Sequence, residues 1–287
     1  MHPRDRESTG GTVGRHVAAD RAWTVVGVAV VTLVVGFLSA RLLGLGRLVY
    51  AVAVPAGVLF GPAGAVGFAF GGLSRDLLAG VAVPVALVRA GSDALLAVVG
   101  YTVWGRRPIP TLDRPSSVPS GLAGYAVAVV VASLCGAAAL ASGLAVVGRT
   151  SFAASAPTLL TDRLVAGLAL GAVVLVGVAS TVDGLPDPDG GRRLPTGAVL
   201  GATTVALVWL AGGFAFSLVQ ADAAAFPGVR TFVTEVLPPV LEPVASAALS
   251  WLYRPLQALL ALVALAAIGA LVVRAGGGGG GEDRPVE

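Results

Sequence analysis

Four ionisable residues lie inside long apolar stretches of the chain, and side chains of these types can bind a charged solute. They are Arg75, Asp76, Arg89 and Asp93. Charged side chains at membrane depth are costly and normally face the bundle interior, one another or water. Two interpretations follow. The four groups form a set of buried ion pairs, or they line a polar pocket open to the outer side that binds a small zwitterionic or anionic solute.

The spacing of these residues predicts that Asp76 and Arg89 face each other. Two apolar segments meet at a turn near 81–83, and Pro84 suits the first turn of the second helix. Asp76 lies about six residues before that turn and Arg89 about seven after it. At 1.5 Å per residue, both are roughly 10 Å from the turn, on neighbouring antiparallel helices.

Asp93 extends this polar set deeper into the bundle. It lies one turn beyond Arg89 on the same helix face. Gly71 and Gly72 are expected opposite Asp93, where they have no side chain to fill the space. We therefore predict a ligand-binding pocket that involves Arg75, Asp76, Arg89, Asp93, Gly71 and Gly72.

Other residue types exclude several chemistries. All 19 basic residues are Arg, so a P-loop and a lysine Schiff base are impossible. The only histidines are His2 and His16, in a polar stretch, and Cys135 is the single cysteine. Zinc and Ser–His sites are therefore not expected. We predict no catalytic residue, no metal, no cofactor, no enzymatic activity and no nucleic-acid partner.

The composition is that of an integral membrane protein. Hydrophobic residues make up 56% of the 287 residues and charged residues only 12%. Soluble domains contain about 45–50% apolar and about 25% charged residues. We expect an all-α polytopic transmembrane helix bundle in contact with membrane lipid, and a multi-pass location in the cell membrane.

Apolar runs of about 20 residues, the length that crosses a bilayer, give the expected segments. They cover about 23–40, 48–60, 62–80, 84–104, 121–147, 163–181, 196–218 and 256–274. The count is eight if the short run 48–60 crosses and seven if it re-enters.

These segments divide the chain into two halves. A polar cytoplasmic tail is predicted at 1–21, without the apolar core of a signal peptide. An N-terminal transmembrane half at 22–107 is separated from a C-terminal half at 121–275 by a Pro/Ser-rich linker at 108–120. A glycine-rich flexible tail is predicted at 276–287.

The arginine distribution orients the bundle. With both termini cytoplasmic, eleven arginines fall on inner segments and six on outer ones, in agreement with the positive-inside rule. The six assigned to outer segments are Arg41, Arg47, Arg149, Arg163, Arg230 and Arg254.

A second pattern occurs in the outer segment 228–253. Apolar residues recur there at three- and four-residue spacing, with charged and hydroxyl residues on the other side. An amphipathic helix at the outer interface is predicted. It serves either as a lid over an outward pocket or as a simple interfacial loop helix.

The run at 54–80 resembles the substrate-binding S components of energy-coupling factor (ECF) transporters. The shared features are a proline, a G-x-L-x-G-P turn and an acidic residue followed by leucines. Here they are Pro55, Gly57, Leu59, Gly61, Pro62, Asp76, Leu77 and Leu78. The resemblance is confined to residues 54–107, and the half at 121–275 shares none of it.

This resemblance implies a membrane subunit that binds a small solute, such as a vitamin, from the outer side. S components have about six helices and depend on a coupling transmembrane protein and separate ATPases as partners. The present chain departs from them with its seven or eight segments. The alternative is a non-transporting membrane sensor or scaffold that acts through a partner protein.

Overall fold

All regular secondary structure in the described part of the chain is helical. In the computed structural model, the described residues are 9–42, 46–105, 110, 116, 118–181, 196–221 and 242–277. No strand occurs within these ranges.

The described residues form eight α-helices, a 3₁₀ turn and a π-helix. They are α1 (Thr9–Leu42), a 3₁₀ turn (Gly46–Val49), α2 (Tyr50–Leu78), α3 (Val83–Trp104), α4 (Val118–Val146), α5 (Phe152–Val165), a π-helix (Ala166–Gly171), α6 (Ala172–Thr181), α7 (Thr196–Ala221) and α8 (Glu242–Gly277). Helix α5, the π-helix and α6 are continuous and form one rod over Phe152–Thr181.

The outside of the bundle is apolar, as lipid contact requires. In the described part of the chain, seven helices are long and apolar enough to cross a membrane. Large hydrophobic side chains such as Phe70, Leu200 and Leu262 are more than half exposed, whereas Asp76 and Asp93 are buried. The chain is therefore an integral membrane protein with an all-α transmembrane bundle, as its composition predicts.

Helix α2 reverses direction at Gly61. The backbone there has φ 59° and ψ −140°, which is outside the helical region. A Cβ placed on Gly64 would meet the carbonyl oxygen of Ala56, although eight residues of straight helix would separate these positions by about 12 Å. The two parts of α2, residues 50–60 and 62–78, thus form a tight hairpin with Pro62 directly after the bend.

The sequence leaves open whether the short run 48–60 crosses the membrane or re-enters, and this hairpin is the structure that the run adopts. The first arm, 50–60, is about 16 Å long, about half of the roughly 30 Å hydrocarbon core. Its tip lies beside Tyr101 near the end of α3, because a Cβ on Gly61 would be 3.5 Å from that ring. Among the described residues, seven stretches are long and apolar enough to cross a membrane, and one of them, Arg47–Leu78, is folded into two antiparallel arms.

The second arm of α2 runs parallel to α1 and packs closely against it. A Cβ on Gly67 would lie 2.6 Å from the carbonyl oxygen of Val25, and one on Gly71 would lie 2.5 Å from that of Ala29. The glycines thus allow the two backbones to approach within lipid. Farther along, Gly36 faces the side chain of Arg75, whose Cδ would lie 2.7 Å from an added Cβ.

Several boundaries differ from the sequence prediction. The span predicted at 163–181 begins at Phe152, where the Ser151 hydroxyl caps the helix by accepting a hydrogen bond from the Ala154 N–H at 3.3 Å. The helix that contains the last span begins at Glu242, and α1 begins at Thr9, within the predicted polar tail. Residues 228–241 of the predicted amphipathic segment and 278–287 of the predicted tail lie outside the described residues.

The helix directions place the beginning of α1 and the end of α8 at the same end of the bundle. Helices α7 and α8 are antiparallel, since Gly212 faces Leu260 and Gly201 faces Leu271. The cytoplasmic assignment of that end stays a prediction from the arginine distribution.

The reversal at Gly61 can be tested by adding one methyl group. Gly61→Ala should destabilise the protein by about 1–3 kcal/mol, because L-residues rarely adopt this backbone conformation. Gly177→Ala is the matched control, since Gly177 is helical and has no heavy atom within 4 Å of an added Cβ. Unfolding of the detergent-solubilised variants measures the difference. Equal stability of the two variants would contradict the hairpin.

A polar cavity between five helices

A cavity of about 380 Å³ opens at the end of the bundle where α2 passes into α3. Its size is within the range of roughly 300–1,000 Å³ that small-molecule sites occupy. Its charged lining residues are Arg41, Arg47, Arg75, Asp76, Arg89 and Asp162. The remaining wall comprises Leu33, Gly36, Phe37, Ala40, Tyr50, Leu78, Ala79, Val81, Leu140, Leu144 and Leu159.

Asp76 is the acceptor around which the cavity's inner wall is arranged. Its Oδ1 accepts hydrogen bonds from Nε and Nη2 of Arg75 at 3.0 and 2.8 Å. Its Oδ2 accepts one from Nη1 of Arg89 at 3.3 Å. Asp76 is buried, whereas the Arg89 side chain is 39% exposed. The predicted pairing of Asp76 with Arg89 across the turn is therefore present.

A second ion pair lies on the opposite wall. Nη1 of Arg47 donates to Oδ1 of Asp162 at 2.7 Å, and the Arg47 side chain is 64% exposed. The guanidinium of Arg41 lies 5.5 Å from the centre of the Phe37 ring, a cation–π contact. In the described part of the chain, no hydrogen bond from the Arg41 side chain is found.

Asp93 is paired with a residue that the sequence prediction placed elsewhere. Its Oδ1 accepts from Nη2 of Arg163 at 3.3 Å, and both side chains are almost completely buried. The same Nη2 donates to Oγ of Ser92 at 2.8 Å, and Ser92 donates its own proton to the carbonyl oxygen of Gly136 at 2.8 Å. The ion pair of Asp93 is therefore made with a residue outside the predicted set of four.

Arg163 was missed because its helix begins earlier than predicted. It was counted with the outer-loop arginines, yet it lies eleven residues into the rod that starts at Phe152, about 16 Å from that end. Its side chain is 0% exposed. Among the described residues, the buried charged side chains are Asp76, Asp93 and Arg163, and the sequence prediction placed the last of these outside the bundle.

Tyr50 separates the cavity from this inner pair. Its ring lines the cavity, and Cζ of Arg163 lies 5.1 Å from the ring centre. Within the described residues, Nε and Nη1 of Arg163 have no hydrogen-bond partner. The tyrosine face therefore provides much of what stabilises this guanidinium beyond Asp93 and Ser92.

The two glycines predicted in the pocket have different neighbours. A Cβ on Gly72 would lie 3.0 Å from Oδ2 of Asp93, so Gly72 does face that carboxylate. Gly71 faces Ala29 and Thr32 of α1 instead. Neither glycine lines the cavity, and Asp93 does not line it either. Of the six predicted site residues, Arg75, Asp76 and Arg89 border the cavity.

The lining of the cavity offers hydrogen-bond donors to a ligand. Among the described residues, no three His, Cys, Asp or Glu side chains are grouped to hold a metal ion. Asp76 and Asp162 already accept hydrogen bonds from arginine. The donors that remain available are guanidinium N–H groups, which bind oxyanions.

Comparison with known proteins adds no relative. The chain matches no protein-family model, no curated protein and no solved structure. The resemblance of residues 54–107 to S components stays a prediction. Its Gly61–Pro62 motif is the point at which α2 reverses.

The inner pair can be tested with two double-mutant cycles that share Asp93. Combining Asp93→Ala with Arg163→Met should show a coupling of about 1–3 kcal/mol, since a buried charge left alone is strongly destabilising. Combining Asp93→Ala with Arg89→Met should show less than about 0.5 kcal/mol. Denaturant unfolding in micelles gives both values. A larger coupling of Asp93 with Arg89 than with Arg163 would refute the assignment.

Proposed function

We propose that this integral membrane protein binds a small charged solute in the arginine-lined cavity and acts as the solute-binding subunit of a transporter, without enzymatic activity of its own. The observation that carries the proposal is a cavity of about 380 Å³ with four arginines in its wall. Charged groups inside a membrane bundle are typical of substrate or ion pathways.

The packing around the cavity supports a binding role beyond charge neutralisation. A purely structural set would close its charges on one another. Asp93 and Arg163 do so, with 3% and 0% of their side chains exposed. Arg47 and Arg89 remain 64% and 39% exposed at the cavity, although each has an aspartate partner.

Transport by this chain would need partners that supply energy. The absence of lysine removes the P-loop route to ATP hydrolysis within the sequence. The resemblance of residues 54–107 to S components suggests a coupling transmembrane protein and separate ATPases in the cell membrane. These partner and location assignments are part of the proposal.

A bulky residue in the cavity tests whether a solute binds there. Ala40 lines the cavity, whereas Val34 lies on the same helix, is 45% exposed and does not line it. Native mass spectrometry of freshly purified protein should find a small molecule on wild type and Val34→Trp that is absent from Ala40→Trp. An identical small-molecule content in all three proteins would contradict solute binding in this cavity.

Reconstitution then separates transport from sensing. The solute so identified should enter proteoliposomes in an ATP-dependent manner when a coupling protein and its ATPases are included, and Ala40→Trp should abolish this uptake. Binding without uptake under the same conditions would favour the alternative, a membrane sensor that signals through a partner protein.

A further inference from the structure

From the wall of the same cavity, we infer that its ligand is an amphiphilic organic anion: an oxyanion head, carboxylate or phosphate, attached to an apolar body. The inference rests on the proposed solute-binding function and names the ligand class. Three observations support it: the surplus positive charge of the cavity lining, the apolar wall of the cavity and the burial of the Asp93–Arg163 pair.

The charge of the lining selects an anion over a cation. Four arginines and two aspartates border the cavity, a surplus of two positive charges. Both aspartates are already neutralised, Asp76 by Arg75 and Arg89 and Asp162 by Arg47. A ligand cation would have to compete with these arginines, whereas an anion meets N–H donors without displacing anything.

The available donors are concentrated at the exposed rim of the cavity. A guanidinium has five N–H donors. Arg89 and Arg47 each use a single hydrogen bond to an aspartate. Arg41 makes a cation–π contact with the Phe37 ring, which uses none of its N–H donors. The three groups can therefore hold a planar or tetrahedral oxyanion in the bidentate manner that arginine favours.

The rest of the wall requires an apolar ligand body. Leu33 and Phe37 on α1 face the cavity from one side, and Leu140, Leu144 and Leu159 on α4 and α5 from the other. A small inorganic anion would leave this surface in contact with water. An apolar body would bury this surface, which is favourable because it removes apolar area from water.

The inner pair does not compete for this ligand. Arg163 is held by Asp93, Ser92 and the face of Tyr50, and its side chain has no exposed surface. The anionic head is thus expected at the rim with Arg41, Arg47 and Arg89. The ligand body would then extend along the leucines, with Tyr50 as the floor.

The test compares probes that share one octyl body and differ in the head. Octanoate and octyl phosphate should raise the melting temperature of the detergent-solubilised protein and bind in calorimetry. Octyltrimethylammonium, octanol and inorganic phosphate should not. A parallel arm in nanodiscs of phosphatidylcholine with or without phosphatidic acid distinguishes a free solute from an anionic lipid, because only a lipid ligand would be bound from the bilayer and exclude octanoate.

Variants link the binding to the named arginines. Arg89→Gln and Arg47→Gln should each weaken octanoate binding about tenfold. Arg149→Gln is the matched control, since Arg149 is exposed at the same end of the bundle outside the cavity. Ala40→Trp should abolish binding and Val34→Trp should preserve it.

The possible failures have different meanings. If octanol or octyltrimethylammonium binds at least as tightly as octanoate and Ala40→Trp blocks it, solute binding stands and the anionic class is wrong. Equal losses in Arg89→Gln and Arg149→Gln would also overturn the inference, because they would indicate a general surface-charge effect. If no probe binds, the ligand class is overturned. Identical native mass spectra of wild type and Ala40→Trp would then overturn the binding function as well.

Discussion

The cost of placing charge inside a membrane bundle determines how this protein is assembled. Insertion scales put that cost at about 2.5 kcal/mol or more for each unpaired group. Asp93 and Arg163 meet it by pairing across α3 and α5, and Asp76 does so by accepting from Arg75 and Arg89 across α2 and α3. These contacts fix three helices relative to one another, and the cavity is the space left beside them.

The reversal at Gly61 makes this arrangement possible. Because the second arm of α2 returns toward the beginning of the helix, Tyr50 and Arg75 come to the same end of the bundle, and both line the cavity. A straight α2 of 29 residues would separate its two ends by about 43 Å. The conformation of Gly61 thus places the Tyr50 ring, which lies over Arg163, at the same end of the bundle as the Arg75 guanidinium, which binds Asp76.

Counting residues along the chain predicted correctly the contact that lies within one helical hairpin. The prediction that Asp76 and Arg89 lie at the same distance from the turn came from counting residues on either side of it. The ion pair is present at 3.3 Å. The partner of Asp93 could not be found in this way, because Arg163 is 70 residues away in sequence. The first turns of its helix, from Phe152, also precede the predicted span at 163–181. The side-chain cap on Ser151, which indicates a helix start there, was the signal available in the sequence.

The central claim is that water reaches an electropositive cavity inside the bundle. In a Cys135→Ala background, Ala40→Cys should react with membrane-impermeant methanethiosulfonates, and several-fold faster with an anionic than with a cationic reagent. Val34→Cys, on the same helix outside the cavity, should react with neither. Adding Arg47→Gln and Arg89→Gln should remove the preference at Ala40→Cys. An unreactive Ala40→Cys, or one that reacts faster with the cationic reagent, would contradict the account.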